Sequence, residues 1–110
     1  MKYEPDRGDI VRIRLSPQSD HEQAGRRPAI VLSPQRYNSK AGLMVCCPIT
    51  SKEKNYPFEV KIPGGLPVSG VILSDQVKSL DWRVRQAQFV CKTPKTIVQE
   101  VIEKLTLLFM

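Results

Sequence analysis

Val11, Ile13 and Leu15 alternate with Arg12 and Arg14. That period of two predicts a half-buried strand over residues 10–15, entered through Gly8-Asp9. Residues 16–28 are polar and carry Pro17, Gly25 and Pro28, which predicts a long surface loop. Ala29-Ile30-Val31-Leu32 is a short apolar run, expected as a buried strand, and Ser33-Pro34 ends it and opens one helical turn through Tyr37. Residues 43–49 form the next apolar run. Pro48 has no amide to donate, so that part of the strand is expected at an edge or a bulge. A polar loop fills 50–55. Residues 58–62 alternate again before the Pro63-Gly64-Gly65 turn. Residues 70–73 continue the strand pattern, running on through Val77 to Leu80, and 86–91 complete it.

The period then changes. Thr93 is placed to cap a helix and Pro94 to occupy its first position. Ile97, Val98, Val101, Ile102, Leu105 and Leu108 recur at three-to-four spacing, an apolar helical stripe expected to pack on the core. Glu100 and Lys104 pair across one turn of the polar side. Short strands followed by one helix predict a mainly β fold with a C-terminal α-helix, the strands curled into a small barrel that the helix closes.

The length of 110 residues suits one domain spanning 1–110, without internal repeats. The chain carries 17 Lys+Arg against 11 Asp+Glu, a formal charge of +6, which favours an acidic partner. No run approaches the ~18 apolar residues of a membrane helix, and the first residues lack an apolar leader core. No membrane association and a cytoplasmic location are therefore expected. The single histidine, His21, excludes a two-histidine acid–base pair within one chain. Cys46, Cys47 and Cys91 have no C-x-x-C spacing and are expected as small buried apolar residues, the adjacent pair facing opposite sides of a strand.

The densest polar cluster is Glu22-Gln23-Ala24-Gly25-Arg26-Arg27-Pro28, just before a rigid apolar strand. On composition alone it reads as a solvated turn. The wider stretch from Glu22 through Pro34, with Gly8-Asp9-Ile10-Val11 ahead of it, resembles the signature of the MazF/PemK (Kid) family of toxin endoribonucleases. Cys47-Pro48-Ile49-Thr50-Ser51 with Tyr56-Pro57-Phe58-Glu59-Val60 is similar to the family's second block. Gly70-Val71-Ile72-Leu73-Ser74-Asp75-Gln76-Val77-Lys78-Ser79, followed by Trp82-Arg83-Val84-Arg85, is similar to the third. The blocks cover nearly the whole chain in family order.

The resemblance implies an SH3-like (MazF/CcdB-type) β-barrel acting as a homodimer. It implies a toxin of a type II toxin–antitoxin system that cleaves single-stranded RNA at a short sequence. No metal or other cofactor takes part, and the ends left are a 2′,3′-cyclic phosphate and a 5′-hydroxyl. A cognate MazE-like antitoxin would block the groove. The family's catalytic arginine falls on Arg27, its acidic loop residue on Glu22 and its threonine on Thr50. Gln23, Gly25, Arg26, Ser51, Lys52, Lys54, Gln76 and Lys78 are the expected RNA contacts. Trp82, Tyr56 and Phe58 are able to stack on bases, although sparse aromatics more often serve a core or interface. Two rivals are a CcdB-like gyrase-binding toxin and a non-catalytic module that binds RNA or antitoxin. Neither needs Glu22, Arg27 and Thr50 as a set.

The residues support a mechanism apart from the family. RNA self-cleavage requires deprotonation of the 2′-hydroxyl, stabilisation of charge on the phosphorane, and protonation of the leaving 5′-oxygen. Glu22, ionised at neutral pH, is the available base. Arg27 presents a planar fork to the phosphorane oxygens, and Thr50 is able to donate one hydrogen bond. Arg27, His21 and water all remain open as the acid.

Overall fold

The computed structural model describes residues 2–14 and 25–110. Seven strands run β1 (Asp9–Arg14), β2 (Arg26–Val31), β3 (Leu43–Thr50), β4 (Glu59–Lys61), β5 (Val71–Leu73), β6 (Lys78–Asp81) and β7 (Gln88–Lys92). Helix α1 (Gln35–Ala41) follows β2, and helix α2 (Lys95–Thr106) follows β7 and ends in a 3₁₀ turn over Leu107–Phe109. The chain is mainly β with a C-terminal helix. All pairings are antiparallel, in the order β4-β5-β3-β2-β1-β7, with β6 on β3. Among the described residues the path is open, with no ladder joining β4 to β7.

Both faces of the central strands are buried, which explains their near-continuous apolar runs. Ile10, Ile30, Cys47, Ile49, Val60 and Ile72 form one core with Val98 and Val101 of α2. Val11, Ile13, Ala29, Val31, Met44, Cys46 and Trp82 form a second on the other face. Cys46 and Cys47 therefore point to opposite cores. Burial pushes their thiols up to about 11 and about 12. Trp82 is a core residue: its indole N–H donates to the Asn38 carbonyl at 2.8 Å, and Arg83 covers the ring at 4.4 Å.

Several boundaries differ from the sequence expectation. β2 starts at Arg26, inside the expected loop, because Arg26, Arg27 and Pro28 pair with Arg14, Ile13 and Arg12 of β1. α1 runs to Ala41, beyond the single turn expected. Gly42 stops it at φ 73, its N–H donating to the Asn38 carbonyl at 3.0 Å. The strand expected from Gly70 to Leu80 is two strands, β5 and β6, divided by a turn that begins at Ser74. α2 starts at Lys95 with Pro94 as its N-cap. Thr93 makes no capping bond, and its buried hydroxyl has no partner among the described residues. The apolar stripe packs as far as Leu105, but Leu108 is 47% exposed because the chain has tightened into the 3₁₀ turn.

A candidate RNA-cleavage groove

Two prolines shape the site. β2 and β3 share three pairs, Val31↔Cys46, Ile30↔Cys47 and Ala29↔Pro48. Pro48 at the last of these rungs and Pro28 just past it offer no N–H to extend the ladder. β3 then changes partner, pairing Ile49 and Thr50 with Ile72 and Val71 of β5. Pro48 thus lies inside the sheet, at the last rung of its ladder with β2, and not on an edge strand. Past that rung, Arg27 and Thr50 line one groove of about 810 Å³ floored by Pro28, Ala29, Pro48 and Ile49.

Thr50 is held from behind by Gly70. Gly70 sits at φ +120, and a Cβ there would lie 2.2 Å from the Thr50 carbonyl oxygen. Only glycine permits so close a backbone approach in that conformation. The Thr50 hydroxyl accepts the N–H of Lys52 at 3.2 Å, and among the described residues its own proton is left for a ligand. Arg27 is exposed. Among the described residues its guanidinium makes one bond, to the neighbouring Arg26 carbonyl at 3.2 Å. Its fork therefore has donors to spare.

The groove wall carries Arg12, Arg27, Lys52, Lys78 and Arg85, and no Asp or Glu among the described residues. Such a gathering of cations on one concave surface attracts a polyanion. Ser51 and Gln76 also line it. Of the other predicted contacts, Lys54 lines an adjoining depression. Arg26 is turned to the 82–87 region, donating to the Gln86 carbonyl and to Gln86 Oε1, both at 3.2 Å. Gly25 and Arg26 do not line the groove. Glu22, Gln23 and His21 lie outside the described residues. Arg12 and Arg85 were not read from the sequence as site residues. The alternation along β1 carried a signal for Arg12, since it places that side chain opposite Val11 and Ile13. Among the described residues, no three of His, Cys, Asp and Glu gather into a metal-binding group.

Residues 6–109 match the family described as PemK-like, MazF-like toxin of type II toxin-antitoxin system. The chain belongs to this toxin family. It is 50% identical over 86 residues to the endoribonuclease toxin MazF of Escherichia coli K12, covering 78% of this chain and 77% of that protein. The crystal structure of MazF (Form-I) from Deinococcus radiodurans superposes with a TM-score of 0.88 at 52% identity, over 99% of this chain and 100% of that one. The MazE–MazF complex (Form-II) from the same organism gives 0.89 at 46% identity, over 98% and 97%.

Proposed function

We propose that this toxin is an endoribonuclease that cuts single-stranded RNA in the groove between Arg27 and Thr50. The attacking 2′-oxygen forms a bond to phosphorus as the bond from phosphorus to the 5′-oxygen breaks. Glu22 takes the 2′-hydroxyl proton. Arg27 holds the phosphorane oxygens, where negative charge builds, and Thr50 donates to one of them. The products are a 2′,3′-cyclic phosphate and a 5′-hydroxyl, and the reaction uses no metal. Arg27, His21 and water remain alternatives for returning the proton to the leaving oxygen. Lys52, Lys78 and Ser51 hold the backbone, while the amides of Gln23 and Gln76 serve to read base edges. Lys54, Gly25 and Arg26 serve the flanking strand.

The observation that carries this reading is the groove itself, with Arg27 and Thr50 among its lining residues and five cations on its wall. The barrel implied by the family is part of the proposal. α2 supports it by reaching from β7 to β4, where Lys104 Nζ donates to the Pro57 and Glu59 carbonyls at 2.8 and 3.0 Å. We further propose one domain spanning 1–110, working in the cytoplasm as a homodimer. Exposed Leu107, Phe109 and Met110 supply apolar surface for a second copy. A MazE-like antitoxin is the expected inhibitor, in keeping with the Deinococcus complexes. Its fit is electrostatic: two chains of +6 each suit an acidic segment.

The test is purified protein with a long single-stranded RNA in EDTA. Discrete fragments that persist in chelator are expected. Intact RNA, with inhibition of gyrase instead, overturns the reading in favour of a CcdB-like poison.

A further inference from the structure

Past Thr50 the groove opens into a second depression of about 600 Å³, which shares Thr50, Lys52 and Gln76 with it. Tyr56, Asp75 and Glu59 line the new part. The 51–58 loop at its rim is held by polar contacts. The Glu59 carboxylate accepts the Lys54 N–H at 3.1 and 3.2 Å and the Tyr56 N–H at 3.3 Å. Asn55 between them adopts φ 55, a left-handed conformation that asparagine tolerates. This shape leaves Tyr56 46% exposed, its ring tilted on Phe58 with centroids 5.8 Å apart. An open, pre-positioned aromatic face beside a cationic groove suits an unstacked base.

Asp75 adds selectivity. Its Oδ2 accepts the Tyr56 hydroxyl proton at 2.9 Å, and its Oδ1 is buried without a partner among the described residues. A carboxylate has about four lone-pair sites and donates nothing. Tyr56 fills one of them, and the free lone pairs of Oδ2 remain as acceptors. Amino groups of bases supply the donor that such a carboxylate lacks. Uracil instead presents carbonyl oxygens on either side of its single N–H, and these repel the carboxylate.

We propose that this depression is a nucleobase pocket beside the scissile phosphate, in which a base stacks on Tyr56 and donates an amino N–H to Asp75. It admits adenine, cytosine or guanine and rejects uracil. Glu59 is a positioning residue that fixes the loop. The proposal rests on the endoribonuclease reading for its place on the RNA path.

Asp75→Asn keeps the size and exchanges one acceptor oxygen for a donor. Tyr56→Phe keeps the ring and frees the carboxylate. Cut sites mapped across one long RNA give the base frequencies around the cut for wild type and both variants. The wild type is expected to exclude uracil by at least about fivefold at one flanking position, and D75N to lose that exclusion there while other positions are unchanged. Tyr56→Phe is expected to keep cleaving with the exclusion altered at that same position. An unchanged base profile in D75N, or equal slowing at every site, overturns the pocket. Binding of pentacytidine and pentauridine separates this from failure of the nuclease reading. A preference for pentacytidine that D75N narrows supports the pocket even in a protein that cuts nothing. Equal affinities in the wild type overturn it.

Discussion

Gly70→Ala tests whether backbone packing sets the position of Thr50. An added Cβ would stand 2.2 Å from the Thr50 carbonyl oxygen and 2.9 Å from its carbonyl carbon, where real contacts stay above 3.0 Å. Relief requires a shift of about 0.8 Å, and the nearest groups are Thr50 and Ser51 backbone atoms, not a flexible side-chain tip. The φ of +120 adds strain of roughly 1–3 kcal/mol for a residue with a Cβ. A displacement of that order at a reacting centre costs on the order of 100-fold in rate. The melting midpoint should fall by about 4 °C for each kcal/mol lost. Single-turnover cleavage, measured well below the variant's melting temperature, separates the two effects. A folded Gly70→Ala protein that cuts within about threefold of the wild-type rate refutes the claim that Gly70 places Thr50 for catalysis.

Other consequences follow from the same structure. Glu22→Ala is expected to slow cleavage by roughly 10²–10⁴-fold, the range for a lost general base, and an unchanged rate moves that role elsewhere. RNA affinity should fall steeply with salt: three to five phosphate contacts from the groove's cations give a log–log slope of roughly −2 to −3.5, and a flat titration contradicts phosphate-led binding. Burial raises the Cys46 and Cys47 thiols from 9.0 to about 11 and about 12, so both stay neutral in the folded chain while the unfolded chain ionises. Their contribution is therefore complete below pH 9.0 and lost as the pH climbs toward those values. Urea unfolding in reductant should show stability declining from about pH 9 toward about pH 11, less so in Cys47→Ala. Identical slopes in the two proteins contradict this assignment.

The fold was legible where one physical signal acted alone. Alternation along β1 and the stripe from Ile97 to Leu105 each marked an element whose inner face meets a core. The first half of β2 was hidden because Arg26, Arg27 and Pro28 look like loop residues. They are tolerated because at that point the strand pairs only with β1, and its open side faces the groove. α1 outruns the single turn that Ser33-Pro34 announces because it buries only Asn38, so no apolar period marks its full length. The turn dividing β5 from β6 was missed inside a run that reads as continuous. At the site, Arg27, Thr50, Ser51, Lys52, Gln76 and Lys78 share one groove. Arg12, marked only by the alternation along β1, joins them through the pairing of β1 with β2, and Arg85 joins through the approach of the turn before β7, which no local pattern encodes. Arg26, next to Arg27, takes the other direction, toward Gln86, as neighbours in a strand must.

Cleavage turns on Arg27 meeting the charge that develops on phosphorus. The decisive measurement is a single-turnover reaction on one RNA, in EDTA, by wild type and Arg27→Ala, with product ends identified by mass. Wild type is expected to leave a 2′,3′-cyclic phosphate and a 5′-hydroxyl, and Arg27→Ala to retain its fold yet cut roughly 10²–10³-fold more slowly. Ends carrying a 3′-hydroxyl and a 5′-phosphate, or an Arg27→Ala protein that cuts at the wild-type rate, contradict it.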